Sequence, residues 1–409
     1  MCTPMELRNV LELPYNFRVP EKFVGVKMIL SPLSRARRAS LAVLGLALAP
    51  LAACAPASSA HGLTIVATTT QICDYVTQIA AASSDISLDK TDASGTQTHV
   101  GAAPEGAALT MSLTCLLAPN ASAHEHEMTP SQTAALADAD VMAVSGVDLE
   151  HFLDDAVASS GFHGRMVVTS GVLTASDVDN PGAPDPQTPY AIDRGTERVE
   201  VSPWPFPPEN AGEAPEFRFD PHVWTSPARA RIQVANLGAG LAAAAPDAAS
   251  SINEATASYL EDLDALDAWA REAIATVPEA QRVLFTSHDA FGYFSADYGI
   301  RFIGAALSDF NDQQDATADH IASAVQAVKD SGAVAIFAEN SNNSKSIEAI
   351  ARGAGVTPIV GDDALYGDSL GPDGSEGATY VGSIIHNTRA VTQAWGGTVP
   401  ALPERLAAR

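Results

Sequence analysis

Residues 248–277 read AASSINEATASYLEDLDALDAWAREAIATV. Tyr259, Leu260, Leu263, Leu266, Trp269 and Ala273 recur at three- and four-residue steps, the period of one face of an α-helix. Pro246 separates this run from an earlier helical piece. Some thirty helical residues span about 45 Å, more than the width of one small domain. The chain has 409 residues, enough for two domains that each bury a core. A helix of that length between them reads as a rigid strut.

On both sides of the strut, apolar strand-like runs alternate with helical ones. Upstream, Leu63–Ala67 is a short β-rich run; Thr68 to Thr70 can cap a helix carrying Ile72, Val76 and Ile79. Residues 85–108 are polar and Gly-rich and are expected to form a loop. Strand, helix, strand, helix and strand follow over 107–119, 129–140, 141–146, 148–161 and 165–171. Downstream, strands at 282–287, 300–307, 334–340 and 356–360 enclose helices at 290–299, 318–332 and 344–355. Such alternation predicts parallel sheets. The expected fold class is therefore α/β: two parallel-sheet lobes, 62–245 and 279–409, joined by one long rigid helix over 246–278. Residues 175–217 interrupt the pattern with nine prolines and many acids. They read as an inserted surface loop, with a short hairpin around TERVEVS (196–202).

Acidic residues outnumber basic ones, 49 to 23, for a net charge of −26. That balance excludes a nucleic-acid partner, whose binding rests on neutralising phosphates with Lys and Arg. It suits a soluble protein outside the cell. Arg35, Arg37 and Arg38 precede an apolar run, Leu41 to Ala53, too short to span a bilayer as a mature helix. This is a secretion signal, and Leu51-Ala52-Ala53-Cys54 resembles a lipobox cut before a lipid-bearing cysteine. Met28 just upstream is an alternative start to Met1. Residues 1–53 are then leader and signal, and 54–61 a tether to the lipid anchor. Residues 1–53 carry seven Lys and Arg and three Asp and Glu, so cleavage leaves a net charge of −30. With Cys2 lost and Cys54 lipidated, Cys73 and Cys115 remain: an oxidising compartment favours a disulfide over two free buried thiols.

The ten histidines differ in context. His124 and His126 follow a strand in HEHEMTP (124–130). His222 lies in DPHVW (220–224). His288 follows a strand in SHDAFGYF (287–294), and Asp362, Asp363 and Asp368 follow the last strand in GDDALYGDSLG (361–371). Open parallel sheets bind ligands outside the carboxyl ends of their strands.

HEHEMTP, DPHVW, SHDAFGYF and LYGDSLG, in that order, resemble the motifs of the zinc and manganese solute-binding proteins of bacterial ABC transporters (solute-binding family 9). The resemblance runs from about residue 62 to the C-terminus. It implies two α/β lobes bridged by a long helix, with one metal in the cleft. Motif by motif it implies His124, His222, His288 and Asp368 as ligands. His126 falls where an aromatic is usual, and Met128 replaces a proline. It also implies partners: a permease and a separate ATPase, with the protein itself a monomer that touches the membrane through its lipid anchor alone. The location implied is the outer face of the bacterial cytoplasmic membrane.

The chemistry agrees with that set. Three neutral imidazoles and one carboxylate suit tetrahedral Zn2+. Mn2+ would be expected to take more oxygen, which His288 does not supply. Imidazole ligands usually donate their other N–H to a carboxylate or carbonyl, and Glu125, Asp220 and Asp289 are near enough in sequence. Glu339 ends a strand facing the same cleft and is not assigned as a ligand. His61, His99, His151, His163, His320 and His386 read as loop or helix residues. No G-x-x-x-x-G-K-[ST] stretch occurs, so no nucleotide motor lies in this chain. Release of metal is expected through movement of Asp368 on its Gly-rich loop, with little motion of the lobes. Two rival functions are a secreted zinc-dependent hydrolase, disfavoured by the missing H-E-x-x-H and by four protein ligands, and a metal-stabilised surface adhesin lipoprotein.

Overall fold

The computed structural model describes residues 62–205, 217–306 and 318–407. The signal, Cys54, the tether 54–61 and residues 206–216 of the insertion lie outside the described residues. The first sheet contains β1 (Leu63–Ala67), β2 (Ile86–Thr91), β3 (Gln97–Gly101), β4 (Leu109–Cys115), β5 (Val141–Val144), β6 (Arg165–Val168) and β7 (Ala191–Asp193). Their order is β3-β2-β4-β1-β5-β6-β7, and every pair is parallel except β2–β3. Helices α1 (Thr70–Ala81), α2 (Pro130–Ala137) and α3 (Leu153–Ser160) connect these strands. Thr69 caps α1 by accepting from the Ile72 N–H, and Thr129 and Gln132 form a capping box on α2. Both faces of the sheet are covered. In β5, Val141 and Ala143 face one apolar cluster while Met142 and Val144 face the other, as side-chain alternation requires.

Two stretches read as loops carry strands. Within 85–108, β2 and β3 form an antiparallel hairpin at the sheet edge. Ile86 and Leu88 are buried, whereas β3 is largely exposed, so the polar edge strand hid the pairing. The Asp92 carboxylate accepts from the Ser94 and Thr96 N–H groups, closing the turn. His99 consequently lies in β3, not in a loop. The insertion likewise contributes α4 (Ala175–Asp179) and the edge strand β7. No hairpin forms at 196–202; instead the Thr196 and Glu197 N–H groups donate to Asn236 Oδ1, so a helix side chain takes the place of a strand partner.

Beyond the insertion come α5 (Pro227–Ala244) and the long helix α6 (Ala249–Ala275). The 27 residues of α6 give about 40 Å. Of the predicted stripe it buries Tyr259, Leu263, Leu266, Trp269 and Ala273, leaves Leu260 half-buried, and extends the buried face to Ile252 and Ala255. The second lobe has parallel pairs β8 (Val283–Thr286) with β9 (Arg301–Ala305) and β10 (Ala335–Phe337) with β11 (Thr357–Ile359); β8 lies against β10. Its helices are α7 (Gly292–Tyr298), α8 (Ala318–Ser331) and α9 (Lys345–Ala354). The chain then returns: α10 (Tyr380–Ala394) packs on α6 and α1, so one continuous core runs through α6 from lobe to lobe. Cys73 of α1 and Cys115 of β4 are joined in a disulfide. No helix among the described residues is long and apolar enough to cross a membrane.

Candidate metal centre

Four chain segments converge at the carboxyl ends of the strands. His124 follows β4, His222 precedes the turn into α5, His288 stands two residues after β8, and Asp368 lies in the loop after β11. One ligand atom from each can be chosen so that all lie within 4.8 Å of one another. His124 Nε2 is 3.1 Å from His222 Nε2 and 3.5 Å from Asp368 Oδ2. Asp368 Oδ1 is 3.5 Å from His222 Nε2 and 3.6 Å from His288 Nδ1. A tetrahedron with bonds of about 2.0–2.1 Å has edges of about 3.3–3.4 Å, which these separations bracket. All four side chains are buried, His124 at 7% exposure, His222 at 0%, and His288 and Asp368 at 2%.

Burying a carboxylate is costly unless neighbouring positive charge or hydrogen bonds offset it. Burial pushes His124 well below the usual imidazole range, despite the opposing pull of Asp368. Burial alone would raise Asp368, but the three neighbouring imidazoles and the Ser122 hydroxyl outweigh it and hold it at about 2. Neutral rings and an ionised carboxylate are the forms that bind a metal.

The supporting residues differ from expectation in part. Asp220 accepts from both the backbone N–H of His222, at 3.0 Å, and its ring Nδ1, at 2.8 Å. A carboxylate has no proton to give, so Nδ1 donates and Nε2 turns its lone pair inward. A Cβ on Gly292 would stand 2.4 Å from Asp220 Oδ2, so only glycine allows this approach. Glu125 is exposed, because the turn after Ala123 points His124 inward and its neighbour outward. Asp289 is buried, and Glu339 is the acid that bonds the His288 backbone. Its Oε1 accepts from the His288 N–H at 2.9 Å, and Oε2 is 3.8 Å from Nδ1. Burial drives Asp289 up to about 8 and raises Glu339 as well. A Cβ on Gly367 would meet Glu339 Oε2 at 2.0 Å, so the Asp368 loop needs glycine there. His126 stays outside the cluster; its ring packs edge-on against Phe152, centroids 4.9 Å apart, as an aromatic would. Asp362 and Asp363 are exposed in a 3-10 turn.

The Asp368 loop is firmly held by the first lobe, which the sequence did not reveal. Ser122 Oγ donates to Asp368 Oδ2 at 2.8 Å and Gln71 Nε2 to its carbonyl at 3.0 Å. Trp224 Nε1 donates to the Gly367 carbonyl, and the Leu370 N–H donates to Thr70 Oγ1. Phe217 and Trp204, from the insertion, also border the cluster.

The sequence pattern of the family described as zinc-uptake complex component A, periplasmic, matches residues 65–394. The manganese-binding lipoprotein MntA of Bacillus subtilis (strain 168) is 30% identical over 285 residues, 69% of this chain and 82% of MntA. The iron-binding protein YfeA of Yersinia pestis is 25% identical over 278 residues, 68% of this chain and 77% of YfeA. The solved structure of the periplasmic zinc-binding protein TroA from Treponema pallidum covers 82% of this chain and 99% of its own, with a TM-score of 0.60 and 23% identity. That likeness establishes the fold of two α/β lobes and a long helix. Sequence, fold and convergent ligands agree: the chain belongs to the zinc-uptake component A family, and is a metal-binding solute-binding protein of an ABC import system, not an enzyme.

Proposed function

We propose that this protein captures Zn2+ outside the cytoplasmic membrane and delivers it to a membrane permease driven by a separate ATPase. The carrying observation is the buried set His124, His222, His288 and Asp368, one ligand atom of each lying within 4.8 Å of the others and His124, His222 and Asp368 approaching to 3.1–3.5 Å. Four protein ligands leave no place for a catalytic water, which separates capture from hydrolysis. The family assignment likewise leaves the hydrolase and adhesin readings without support. The protein acts as a monomer held by lipid on Cys54, in keeping with relatives named as lipoproteins.

Mn2+ is the second reading. Glu339 Oε2, 3.8 Å from His288 Nδ1, can add oxygen to the set, and manganese prefers oxygen-rich sites.

Chelator-competition titration of wild type with Zn2+ and Mn2+ tests both. Zinc is expected to bind far more tightly, His222→Ala and Asp368→Ala to lose that binding, and His126→Ala to keep it. Loss in His126→Ala with retention in His124→Ala would overturn the ligand register. Manganese binding that exceeds zinc binding and collapses in Glu339→Gln would establish the second reading instead.

A further inference from the structure

The insertion reaches the metal centre from the side of the first lobe. Residues 202–204 run antiparallel to 218–220: the Trp204 N–H donates to the Arg218 carbonyl at 3.0 Å, and the Asp220 N–H to the Ser202 carbonyl at 2.9 Å. This register sets two aromatic rings against two ligands. Phe217 is buried at 2% exposure, with its ring centroid 5.4 Å from His124 at an interplanar angle of 61°. Its other neighbours are His151, stacked at 5.1 Å, and Trp204 at 5.9 Å. The Trp204 ring is 6.0 Å from His222. Tyr293 of α7 clips the same strand pair to the second lobe, accepting from the Ser202 N–H and donating to the Asp220 carbonyl. The rings therefore occupy positions fixed from both lobes.

Metal exchange at a closed site proceeds as water replaces protein ligands one at a time, so where water can reach decides where exchange starts. Phenyl and indole rings offer a metal no competing ligand atom, and they exclude water from the imidazoles they cover. Neither ring is paired with Asp368, which completes the centre on a glycine-flanked loop held by hydrogen bonds. Hydrogen-bonded loops exchange partners with water; packed aromatic rings do not.

We propose that Phe217 and Trp204 form a retention wall. They keep water from His124 and His222, so that metal enters and leaves past Asp368, and they slow exchange in both directions without adding ligands. This rests on the reading of the site as a metal-capture centre.

The test is stopped-flow measurement of Zn2+ loading into apoprotein and Zn2+ release to excess chelator, with affinity from competition titration. In Phe217→Ala, loading and release are both expected to quicken by about tenfold while affinity changes by less than about threefold, as removal of a barrier without loss of contacts requires. Phe217→Leu keeps the apolar volume and is expected to stay near wild-type rates. Trp204→Ala is expected to follow Phe217→Ala, less strongly. Faster release with unchanged loading, hence weakened affinity, would overturn the wall and make Phe217 a residue that positions His124. Unchanged rates in both alanine variants would overturn it too. Should Phe217→Ala lose its apo thermal transition, Trp204→Ala at the half-buried neighbour decides alone. A wild type that takes up no Zn2+ defeats the capture reading; one that does, with variants exchanging at the wild-type rate, defeats the wall alone.

Discussion

Asp220 determines which nitrogen of His222 faces the cluster, and this makes it the most informative residue to change outside the ligands. Asp220→Ala is expected to weaken zinc binding by about 10–100-fold, the usual cost of losing a carboxylate behind a ligating imidazole. Glu125→Ala, at an exposed position, is expected to bind as wild type; equal losses in the two would refute the assignment. His124 provides a pH signature. Its folded-state pKa lies below the unfolded value of 6.5, so the unfolded chain takes up that proton first. Its contribution to apoprotein stability is thus present above about pH 6.5 and is lost as pH falls below it. The apo thermal midpoint is expected to drop across that range, and His124→Gln to flatten the drop. Protons also compete for the same imidazoles, so zinc affinity falls in the same direction. At this scale the four residues that converge were legible, because each sits in one of the ordered motifs that carry the family resemblance. The acid that bonds the His288 backbone was not: it is Glu339, fifty-one positions away in the chain.

The element expected to control release is the loop after β11. Gln71 and Ser122 reach it from the first lobe, one through the carbonyl of Asp368 and the other through its carboxylate. The double variant Gln71→Ala with Ser122→Ala is expected to release zinc about tenfold faster while loading at the wild-type rate, since bonds that hold a bound state act mainly on dissociation. Equal acceleration of loading would show that the loop gates entry instead. Helices were easier to recognise than edge strands. The α6 stripe repeats over 27 residues, whereas β3 has one face on solvent and β7 is only three residues long. Short edge strands owe their existence to the neighbour that receives their hydrogen bonds, and that neighbour is invisible along the chain.

For the whole molecule, the consequence of α6 is restraint. Helices α1, α5, α7 and α10 from both lobes pack on it, and the chain crosses back through α10. Small-angle scattering of apo and zinc-loaded protein is expected to superpose, with movement in a crystal pair confined to residues near 365–371; a wide hinge rotation would refute the strut. The two-lobe plan and the long helix are matters of period and order, written along the chain, and the order of the four motifs carries the family resemblance. Which acid orients which imidazole, how the insertion lines the centre, and what pins the Asp368 loop are contacts between residues far apart in sequence. Those follow from where β8, β10 and the insertion come to rest, because hydrogen bonds and ring contacts act over a few ångströms of space and carry no trace of chain separation.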